Sequence, residues 1–515
     1  MFLSKKEHNL LVKKMKILYL GSNLPDTDLR VSKLALSNKT INHGLVTTSD
    51  FIPEADGYYH TTIVDVWAGG IIEVAKHFDK IVLLDQPVDQ WSHWKALLST
   101  YKIIVELEKL GYATEFREND NIQSIQFMWD LLQDNKAFCV YPWMHLLEEY
   151  GDVLICSKSK TPIKKLEDLE DWRTDPEFTE IRTKFKKGQK ISHCRQCYHE
   201  EKIGFTSTRV HESMDWAVKM NIKSIKDLEV ALPTYYEVRP SNKCNLQCRM
   251  CCPENSHLIE KEFKEIKFEY PSFKKQWGNY EHIDVENLLP GTRIYSTGGE
   301  PTIIPEFYNF LDKCIALGRT DLDITLNTNG QKVNDKLVNL MHKFDEVNFS
   351  FSIDGYDRVN EYIRWNSVWD KTVVNAKRLR DEGFYVSLEC IPSPWNITNL
   401  HLLYEFYDRE FPDSTVFLQQ VYWPDKTVNV FNHPLPELVV DSLTRVTKTN
   451  AYYTDARDNK SIIDSLLEYY SKDPKPDLHW LGKFYEFNDL LDKSRNVKLV
   501  NYVPELEEGR KLLTS

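Results

Sequence analysis

Apolar and polar positions in this chain form short runs that repeat in a strand-then-helix order. Between residues 232 and 425, six runs rich in β-branched and aromatic residues predict strands, and amphipathic stretches such as 305–318 predict helices between them. The strand sequences are YYEVRPS, RIYSTGG, DITLNTN, VNFSFSID, YVSLECIPS and TVFLQQVYW. Parallel strands need crossover connections of this kind. The pattern therefore predicts an α/β fold with a parallel sheet, open or curled into a partial (β/α)6 TIM-like barrel.

The first 130 residues repeat this rhythm on a smaller scale. KILYLGS, KIVLLDQ and YATEFR predict strands, and helical stretches at 69–78 and 94–111 lie between them. This alternation predicts a small α/β domain of unknown role. The predicted segments are an α/β domain at 1–130, a cysteine-rich domain at 131–228, the six βα units at 229–428 and a helical or irregular extension at 429–515.

Composition and charge narrow the class of protein. The 515 residues are too many for one ordinary domain, and a hydrophobic content of 42% is ample for packed cores. The longest apolar runs, such as IVLL, fall far short of the roughly 20 residues that cross a membrane. Lysines interrupt the apolar N-terminus, which therefore lacks the core of a secretory signal. A net charge of −12 argues against a nucleic-acid binder, so we expect a cytoplasmic protein without membrane or nucleic-acid partners.

Ten cysteines in such a chain indicate metal binding rather than disulfides, and seven of them fall into two spaced groups. Cys244, Cys248 and Cys251 have the spacing C-x3-C-x2-C directly after the first strand of the βα series. Three thiolates can hold three irons of a [4Fe–4S] cluster and leave the fourth iron open, whereas structural zinc takes four protein ligands. Cys252 or His257 would have to complete a zinc site. Spacing favours iron–sulfur, with zinc and coincidental core cysteines as alternatives.

The loop CNLQCRMC resembles the signature of the radical S-adenosylmethionine superfamily, C-x3-C-x-φ-C with an apolar or aromatic φ, and Met250 stands at φ. Further motifs of that family follow at the ends of later predicted strands. They are GGEP at 298–301, NTNG at 327–330 and SIDG at 352–355, followed by an arginine in EYIRW. The resemblance covers about 200 residues, the length of the predicted βα series.

The resemblance implies which residues bind the cosubstrate S-adenosylmethionine. Those expected at its methionine amino group are Gly298, Gly299, Glu300 and Pro301. Glycines let backbone carbonyls approach closely, and a carboxylate attracts an ammonium. Those expected at its carboxylate and ribose hydroxyls are Asn327, Ser352, Asp354 and Arg364. Any of these could alone be a helix cap or turn residue, and an Asp-Gly pair such as 354–355 is typical of a turn. Their common position at carboxyl ends of parallel strands favours a binding site.

The activity implied by the resemblance is one-electron chemistry carried by cofactors. A reduced [4Fe–4S] cluster cleaves S-adenosylmethionine to a 5′-deoxyadenosyl radical, which abstracts hydrogen from a substrate. The electron would come from a reductase such as flavodoxin or ferredoxin. The expected substrate is a peptide or protein side chain, because the extra α/β domain could recruit such a partner. No residue is predicted to act directly on the substrate.

A second cysteine group lies upstream of the βα series. Cys139 and Cys156 flank Gly151 in the pattern C-x11-G-x4-C, and Cys194 and Cys197 form C-x2-C. Four thiolates can close a site completely, and C-x2-C suits zinc as well as iron. The whole pattern resembles the auxiliary-cluster half of SPASM/twitch domains, which implies an auxiliary [4Fe–4S] cluster. It departs from them in preceding the barrel and in lacking the later SPASM cysteines, so the segment is twitch-like.

Several interpretations stay open. A fully ligated auxiliary cluster would suit electron transfer, and one with an open iron would hold substrate. The enzyme could instead oxidise or rearrange a small molecule of the amino sugar or nucleoside type. A hypothesis from another class is a non-catalytic zinc-binding interaction protein that uses both cysteine groups structurally. The motifs at 298–301, 327–330 and 352–355 argue against it, because zinc binding has no use for them.

Overall fold

The computed structural model describes residues 120–513 with gaps at 150, 160, 203–205, 231–233, 272–276, 279, 413, 419–424 and 453–458. Before residue 120 it describes four strands and single helical positions at 94, 98, 101, 105 and 109. The helix predicted at 69–78 lies outside the described residues. Two compact units emerge, Met1–Asp134 with Met214–Asp227, and Asn135–Ser213 with Leu228–Ser515. The four predicted segment boundaries stay predictions.

The first unit contains a parallel four-stranded sheet. Its strands are β1 (Lys16–Leu20), β2 (Asn42–Val46), β3 (Lys80–Leu83) and β4 (Ala113–Phe116), in the order β2-β1-β3-β4. The three predicted strands of this region are therefore confirmed. β2 was missed by the hydrophobic pattern, because its sequence NHGLV begins with two polar residues and a glycine.

The second unit is built on a nine-stranded sheet with the order β15-β14-β12-β11-β10-β8-β5-β6-β7. Its strands are β5 (His145–Glu149), β6 (Asp152–Leu154), β7 (Lys164–Lys165), β8 (Tyr235–Val238), β10 (Arg293–Ser296), β11 (Asp323–Thr328), β12 (Glu346–Ser352), β14 (Tyr385–Cys390) and β15 (Val416–Leu418). The six predicted strands are all present and mutually parallel. The end strands β15 and β7 have one neighbour each within the described residues, so the sheet is open and not a closed barrel.

From residue 120 onward, helices connect the strands and make up much of the C-terminal region. They are α1 (Asp120–Asp134), α2 (Tyr141–Met144), α3 (Pro176–Lys186), α4 (Arg195–Lys202), α5 (Thr208–Lys219), α6 (Ile225–Leu228), α7 (His257–Glu265), α8 (Pro305–Ala316), α9 (Asp335–Met341), α10 (Arg358–Ile363), α11 (Trp369–Asp381), α12 (Leu400–Glu410), α13 (Pro436–Val446), α14 (Asn459–Tyr470), α15 (Leu478–Arg495) and α16 (Leu506–Arg510). No helix among the described residues is long and apolar enough to cross a membrane.

The cysteine-rich segment at 131–228 shares the large sheet with the βα units. β5 pairs in parallel with β8, and His145 lies opposite Tyr235. β6 and β7 then continue the sheet in antiparallel fashion. The run HLLEE does not read as a core strand, because its last two residues are acidic. The two cysteine groups consequently belong to one compact unit rather than to visibly separate ones.

The two faces of the large sheet differ in chemistry. Ile294, Ile324, Phe349 and Leu388 lie on one face and are fully buried in the main apolar core with the crossover helices. Alternate residues point to the opposite face. These include Arg293 and Asp323, which form a buried ion pair with Nε and Oδ2 2.5 Å apart. The polar face and the carboxyl ends of the strands are where the sheet can build a site.

Candidate active site

A cavity of about 340 Å³ lies beyond the carboxyl ends of β8, β10, β11 and β12. Four thiols line it, those of Cys244, Cys248, Cys251 and Cys252. It is also lined by six of the eight residues predicted to bind the cosubstrate, namely Gly298, Gly299, Glu300, Asn327, Ser352 and Arg364. The structure thus brings together motifs that are more than 100 residues apart in sequence.

The loop that carries the thiols, residues 241–256, is shaped by both local and long-range hydrogen bonds. Gln247–Cys248 forms β9, which pairs with β13 (Arg364–Trp365) in a small antiparallel ladder. The backbone N–H of Cys251 donates to the carbonyl of Cys248 at 3.0 Å. At the start of the loop, the N–H of Cys244 donates to Nδ1 of His257 at 3.2 Å. That nitrogen of His257 is therefore engaged in holding the loop.

The cavity thiols are in an environment that disfavours bare thiolates. Burial and the neighbouring Cys248 raise the pKa of Cys244 to about 12. Burial also raises the pKa of Cys248, and the adjacent Cys252 together with burial raises that of Cys251. Desolvation and mutual repulsion both penalise thiolate charge. A cation bound between the thiols would relieve that penalty, because metals bind and stabilise the deprotonated form.

Two glycines permit close approach of the GGEP turn to the thiol loop. Gly299 has a φ of +63°, and a Cβ there would come within 2.5 Å of the Lys243 carbonyl oxygen. Gly298 has a φ of +74°, and its Cβ would lie 3.0 Å from Cβ of Arg239. A side chain at Gly299 would collide with rigid backbone. The predicted need for glycine at this position thus has a direct geometric cause.

The Glu300 carboxylate is buried and engaged on all sides. Its Oε1 accepts hydrogen bonds from the hydroxyls of Thr302 and Thr328 at 2.7 and 2.8 Å, and from the N–H of Thr302 at 3.2 Å. Its Oε2 accepts from the N–H of Asn329 at 2.7 Å. Burial raises the pKa of Glu300 although these donors lower it. The carboxylate therefore ties the GGEP turn to the NTNG turn, and its expected pairing with the cosubstrate ammonium stays a prediction.

Four more of the predicted cosubstrate residues form two separate hydrogen-bonded pairs at the cavity. Ser352 donates from Oγ to Oδ1 of Asn327 at 2.7 Å, and Nδ2 of Asn327 donates to Glu389 at 2.6 Å. Arg364 donates from Nη1 to Oδ2 of Asp354 at 2.5 Å. Burial lowers the pKa of Arg364, but Cys248 and Asp354 raise it above its ordinary value overall. This guanidinium is a fixed positive charge on the cavity wall.

Two predicted residues lie behind the cavity wall. Asp354 is 1% exposed and orients Arg364, and its Oδ1 accepts from the N–H of Ile391 at 2.8 Å. Pro301 is buried at the start of a 3-10 turn, Pro301–Ile303. Among the cavity-lining residues that the sequence motifs did not single out, Asn329 makes the most direct connection between the predicted motifs. Asn329 lines the cavity and donates from Nδ2 to Oδ1 of Asn245 at 2.9 Å.

The signal for Asn329 is present in the sequence. NTNG carries two asparagines with one residue between them, and only the first was singled out. The second follows the last strand residue, where β11 has ended. Its N–H and its side chain connect Glu300 with the thiol loop.

The four upstream cysteines form a second buried group. Cys139 precedes α2, Cys156 follows β6, and Cys194 and Cys197 lie around the start of α4. All four are free thiols with 5–8% exposure. Burial raises the pKa of Cys139 well above its ordinary value, and Cys194, Cys156 and Cys197 each raise it further through their charges. The four thiols are consequently close enough to repel one another as thiolates.

Backbone N–H groups surround this second group. Burial raises the pKa of Cys156, with Cys197 and Cys194 raising it further, while the amides of Lys158 and Ser159 lower it. Burial and Cys197 raise the pKa of Cys194 to about 12. Burial raises the pKa of Cys197 to about 11, and the amide of Arg209 opposes that rise. Amides directed at sulfur are suited to stabilise metal-bound thiolates.

A buried arginine braces the second group. Nη1 of Arg209 donates to the carbonyl of Phe138 at 2.6 Å, next to Cys139. Its Nε and Nη2 donate to the Glu201 carboxylate at 2.8 and 2.6 Å. Arg209 is only 2% exposed, so the pairing with Glu201 is required for its charge to be tolerated.

Both thiol groups fit metal centres by their donor chemistry. Three histidine, cysteine or carboxylate side chains do not converge on a single-ion position anywhere in the described part of the chain. The thiols nevertheless supply buried sulfur ligands that share one environment in each group, three or four on the cavity and four upstream. Soft thiolate ligands of this number are what zinc and iron–sulfur clusters use.

Comparison with solved structures finds weak likenesses. Streptococcus suis SuiB bound to S-adenosylmethionine is 16% identical, with 54% of this chain and 60% of that chain covered and a TM-score of 0.31. Histidine-tagged anSMEcpe with bound AdoMet is also 16% identical, with 42% of this chain and 57% of that chain covered and a TM-score of 0.31. The chain thus spans 60% or less of the length of both.

Comparison by sequence gives a more specific result. No curated protein matches the chain. A protein-family model does, the radical SAM superfamily, over residues 238–414. This segment begins in β8, contains the thiol loop and the strand-end motifs, and ends after α12. The match supports placing this part of the chain in the radical SAM superfamily.

Proposed function

We propose that the chain is a radical S-adenosylmethionine enzyme whose active site is the 340 Å³ cavity. One observation carries the proposal. The thiols of Cys244, Cys248 and Cys251 line the same cavity as the GGE turn at 298–300 and the guanidinium of Arg364. Zinc binding alone has no use for a glycine turn and a fixed cation beside three thiols.

Cys244, Cys248 and Cys251 would hold the [4Fe–4S] cluster. When bound, such a cluster supplies the electron that cleaves S-adenosylmethionine and so yields the 5′-deoxyadenosyl radical that abstracts hydrogen from substrate. The three thiols leave one position for the cosubstrate. Cys252 would be the extra thiol, because ligation by it would put a thiol in the apolar slot that Met250 occupies.

The protein residues would bind and orient the cosubstrate. Backbone carbonyls of the GGE turn would accept from its amino group, which the lack of side chains at Gly298 and Gly299 allows. Arg364 would attract its carboxylate, since it is a partly buried cation held in place by Asp354. Asn327 and Ser352 would hydrogen-bond its polar edge from the ends of β11 and β12.

Cys139, Cys156, Cys194 and Cys197 would hold an auxiliary [4Fe–4S] cluster. Four buried thiols with amides directed at them form a site that protein ligands can close. A closed site suits electron transfer better than substrate binding, because no iron position is left open. We propose electron transfer, for example acceptance of an electron from a substrate radical.

The proposed substrate is a peptide or protein side chain, and the proposed electron donor is a flavodoxin or ferredoxin. The substrate class rests on the additional parallel α/β layer of β1–β4, which a small-molecule enzyme does not require. The alternative substrate is a small amino sugar or nucleoside, and substrate screening would distinguish it from a peptide or protein.

Anaerobic purification with metal analysis and electron paramagnetic resonance tests the proposal. Two clusters give about eight irons and eight sulfides per chain. One reduced-cluster signal should change on addition of S-adenosylmethionine, because the cosubstrate ligates the open iron. The signal of the auxiliary cluster should not change when S-adenosylmethionine is added. Zinc without iron, in protein purified and handled anaerobically, would overturn the proposal.

A further inference from the structure

The long C-terminal helix α15 has an unexpected set of buried polar side chains. Asn488, Asp492 and Arg495 follow one another at intervals of four and three residues, so they lie on one face. All three are at most 8% exposed. The helix is well defined at both ends, by the Asp477 carboxylate that accepts from two backbone N–H groups and by Asn496 in the left-handed conformation.

That face binds an arginine in the middle of the thiol loop. Arg249 lies between Cys248 and Cys251 in sequence and is fully buried. Its Nη2 donates to Oδ1 of Asp492 at 2.5 Å, and its Nη1 donates to Oδ1 of Asn488 at 3.2 Å. The C-terminal extension at 429–515 carries no sequence motif that indicates this contact with the thiol loop.

The rest of the guanidinium environment is also fixed. Nε of Arg249 donates to the carbonyl of Tyr362 at 2.9 Å, and its guanidinium lies 3.5 Å from the centre of the Tyr362 ring. The Tyr362 hydroxyl donates to the same Asp492 oxygen at 2.9 Å. The second oxygen of Asp492 accepts from the N–H of Leu499 at 2.6 Å. Asp492 thus binds both the guanidinium of Arg249 and the hydroxyl of the tyrosine on whose ring that guanidinium packs.

A second ion pair of α15 contacts the residue that precedes Cys248. Arg495 donates twice to the carboxylate of Glu262, at 2.9 and 2.7 Å, and both side chains are 2% exposed. Gln247, the residue before Cys248, donates to the same carboxylate at 3.2 Å. The two residues adjacent to Cys248 are therefore both held, directly or through Glu262, by α15.

We infer that α15 is a clamp that positions the thiol loop for metal binding, with Asp492 as its principal positioning residue through Arg249. An unpaired buried guanidinium is strongly disfavoured, so without Asp492 the loop between Cys248 and Cys251 must rearrange. Such a rearrangement displaces the thiols that flank it. The inference rests on the proposed function in that these thiols are taken as cluster ligands.

Asp492→Ala in the full-length, anaerobically reconstituted protein tests the clamp. The expected result is a roughly ten-fold faster loss of the S-adenosylmethionine-responsive paramagnetic signal to an iron chelator, the size typical of lost outer-shell support. The auxiliary signal should decay as in the wild type. Glu486→Gln is the matched control, because Glu486 is exposed on the same helix and pairs with the exposed Lys483 at 2.8 Å.

The double variant Arg249→Met/Asp492→Met separates positioning from simple removal of an unpaired charge. Apolar replacement of both partners of a buried ion pair commonly restores folding stability. The clamp predicts a melting temperature above that of Asp492→Ala, because no buried charge is left unpaired, together with a cluster that is still lost quickly. Wild-type cluster retention in this variant would overturn the inference. Asn488→Ala removes one hydrogen-bond acceptor of Arg249 and keeps its ion pair, so cluster loss should accelerate less than in Asp492→Ala. Unchanged rates of cluster loss in both Asp492→Ala and Asn488→Ala would also overturn the inference.

These outcomes are distinct from a failure of the proposed function. If the wild-type protein binds no iron, the proposed function fails before any variant is compared. If the wild type binds a cluster that responds to S-adenosylmethionine and the variants retain it equally well, only the clamp fails.

Discussion

The carboxylate of Glu300 accepts a 2.7 Å hydrogen bond from the backbone N–H of Asn329 and so joins two motifs that stand at the ends of neighbouring strands. The side chain of Asn329 extends the connection to Asn245 in the thiol loop. Glu300, which lines the cavity, therefore also connects the turns that form its wall. Its direct pairing with the cosubstrate ammonium, which the sequence resemblance implies, stays a prediction.

Glu300→Gln is expected to weaken the site more than it weakens the fold. A glutamine offers one acceptor oxygen and turns an NH2 group towards donors, so at least one buried donor loses its partner, at a cost of about 1–3 kcal/mol. We expect the affinity for S-adenosylmethionine to fall roughly ten-fold or more. Equilibrium binding to the reconstituted protein measures it, and unchanged affinity would contradict the role given to Glu300.

Gly299→Ala is expected to prevent assembly of the cavity cluster. A Cβ would lie 2.5 Å from the Lys243 carbonyl oxygen in addition to the strain of a positive φ. Gly318→Ala is the matched control, because Gly318 also has a positive φ but has no atom within 4 Å of such a Cβ. The control should lose about 1–2 kcal/mol of stability from φ alone and keep its iron. Equal iron contents in the two variants would argue against the close approach.

Cys251→Ala and Cys252→Ala should differ in iron content. Loss of a true ligand removes the cavity cluster, so Cys251→Ala should retain about four of about eight irons, those of the auxiliary cluster. Cys252→Ala should retain all of them. Iron and sulfide analysis after identical reconstitution measures both. The reverse pattern would assign the ligand to Cys252.

Substitution of Cys194 and Cys197 by alanine together should remove only the upstream metal. The iron count should fall by about four, while the signal that responds to S-adenosylmethionine persists. Metal analysis of the wild type beside the double variant shows which element has left. A loss of zinc with no loss of iron would make the upstream site structural zinc.

His433→Asn should reduce the dependence of folding stability on pH. His433 is 1% exposed, and burial lowers its pKa to about 3. The unfolded chain takes up this proton below about pH 6.5 and the folded chain does not, so protonation favours unfolding as the pH falls towards 3.

Urea unfolding at pH 7 and pH 5 measures the difference for both proteins. The wild type should lose up to about 1.4 kcal/mol more per pH unit in this window than the variant does. Nδ1 of His433 accepts from the N–H of Leu435 at 3.1 Å, and the asparagine amide oxygen, which is also bonded to Cγ, can replace that acceptor. Equal pH dependence would show that His433 titrates normally.

The six parallel strands of the βα series were predictable, because each strand is a short apolar or alternating run and amphipathic stretches lie between them. β10 to β12 illustrate this, with apolar residues at Ile294, Ile324 and Phe349 facing the helices. β5 was not predictable in the same way. Its pairing with β8 joins residues about 90 positions apart, and the run HLLEE lacks the alternation of a core strand.

In the site, too, features marked by local sequence were predictable and contacts between remote segments were not. The cavity lining at 298–300, 327 and 352 could be predicted, since each motif ends a strand of the same parallel sheet. The partner of Arg249 could not, because Asp492 is 243 residues away and nothing in its local sequence marks it. Buried ion pairs between remote segments are determined by tertiary packing, which periodicity and motif spacing do not encode.

Reductive incubation of the anaerobically reconstituted protein with S-adenosylmethionine tests the central claim most directly. A strong reductant such as dithionite replaces the unknown physiological donor, and 5′-deoxyadenosine is quantified by chromatography and mass spectrometry. The account predicts 5′-deoxyadenosine from the wild type and none above background from Cys248→Ala, even without the true substrate. No 5′-deoxyadenosine from wild-type protein with a full complement of iron and sulfide would contradict it.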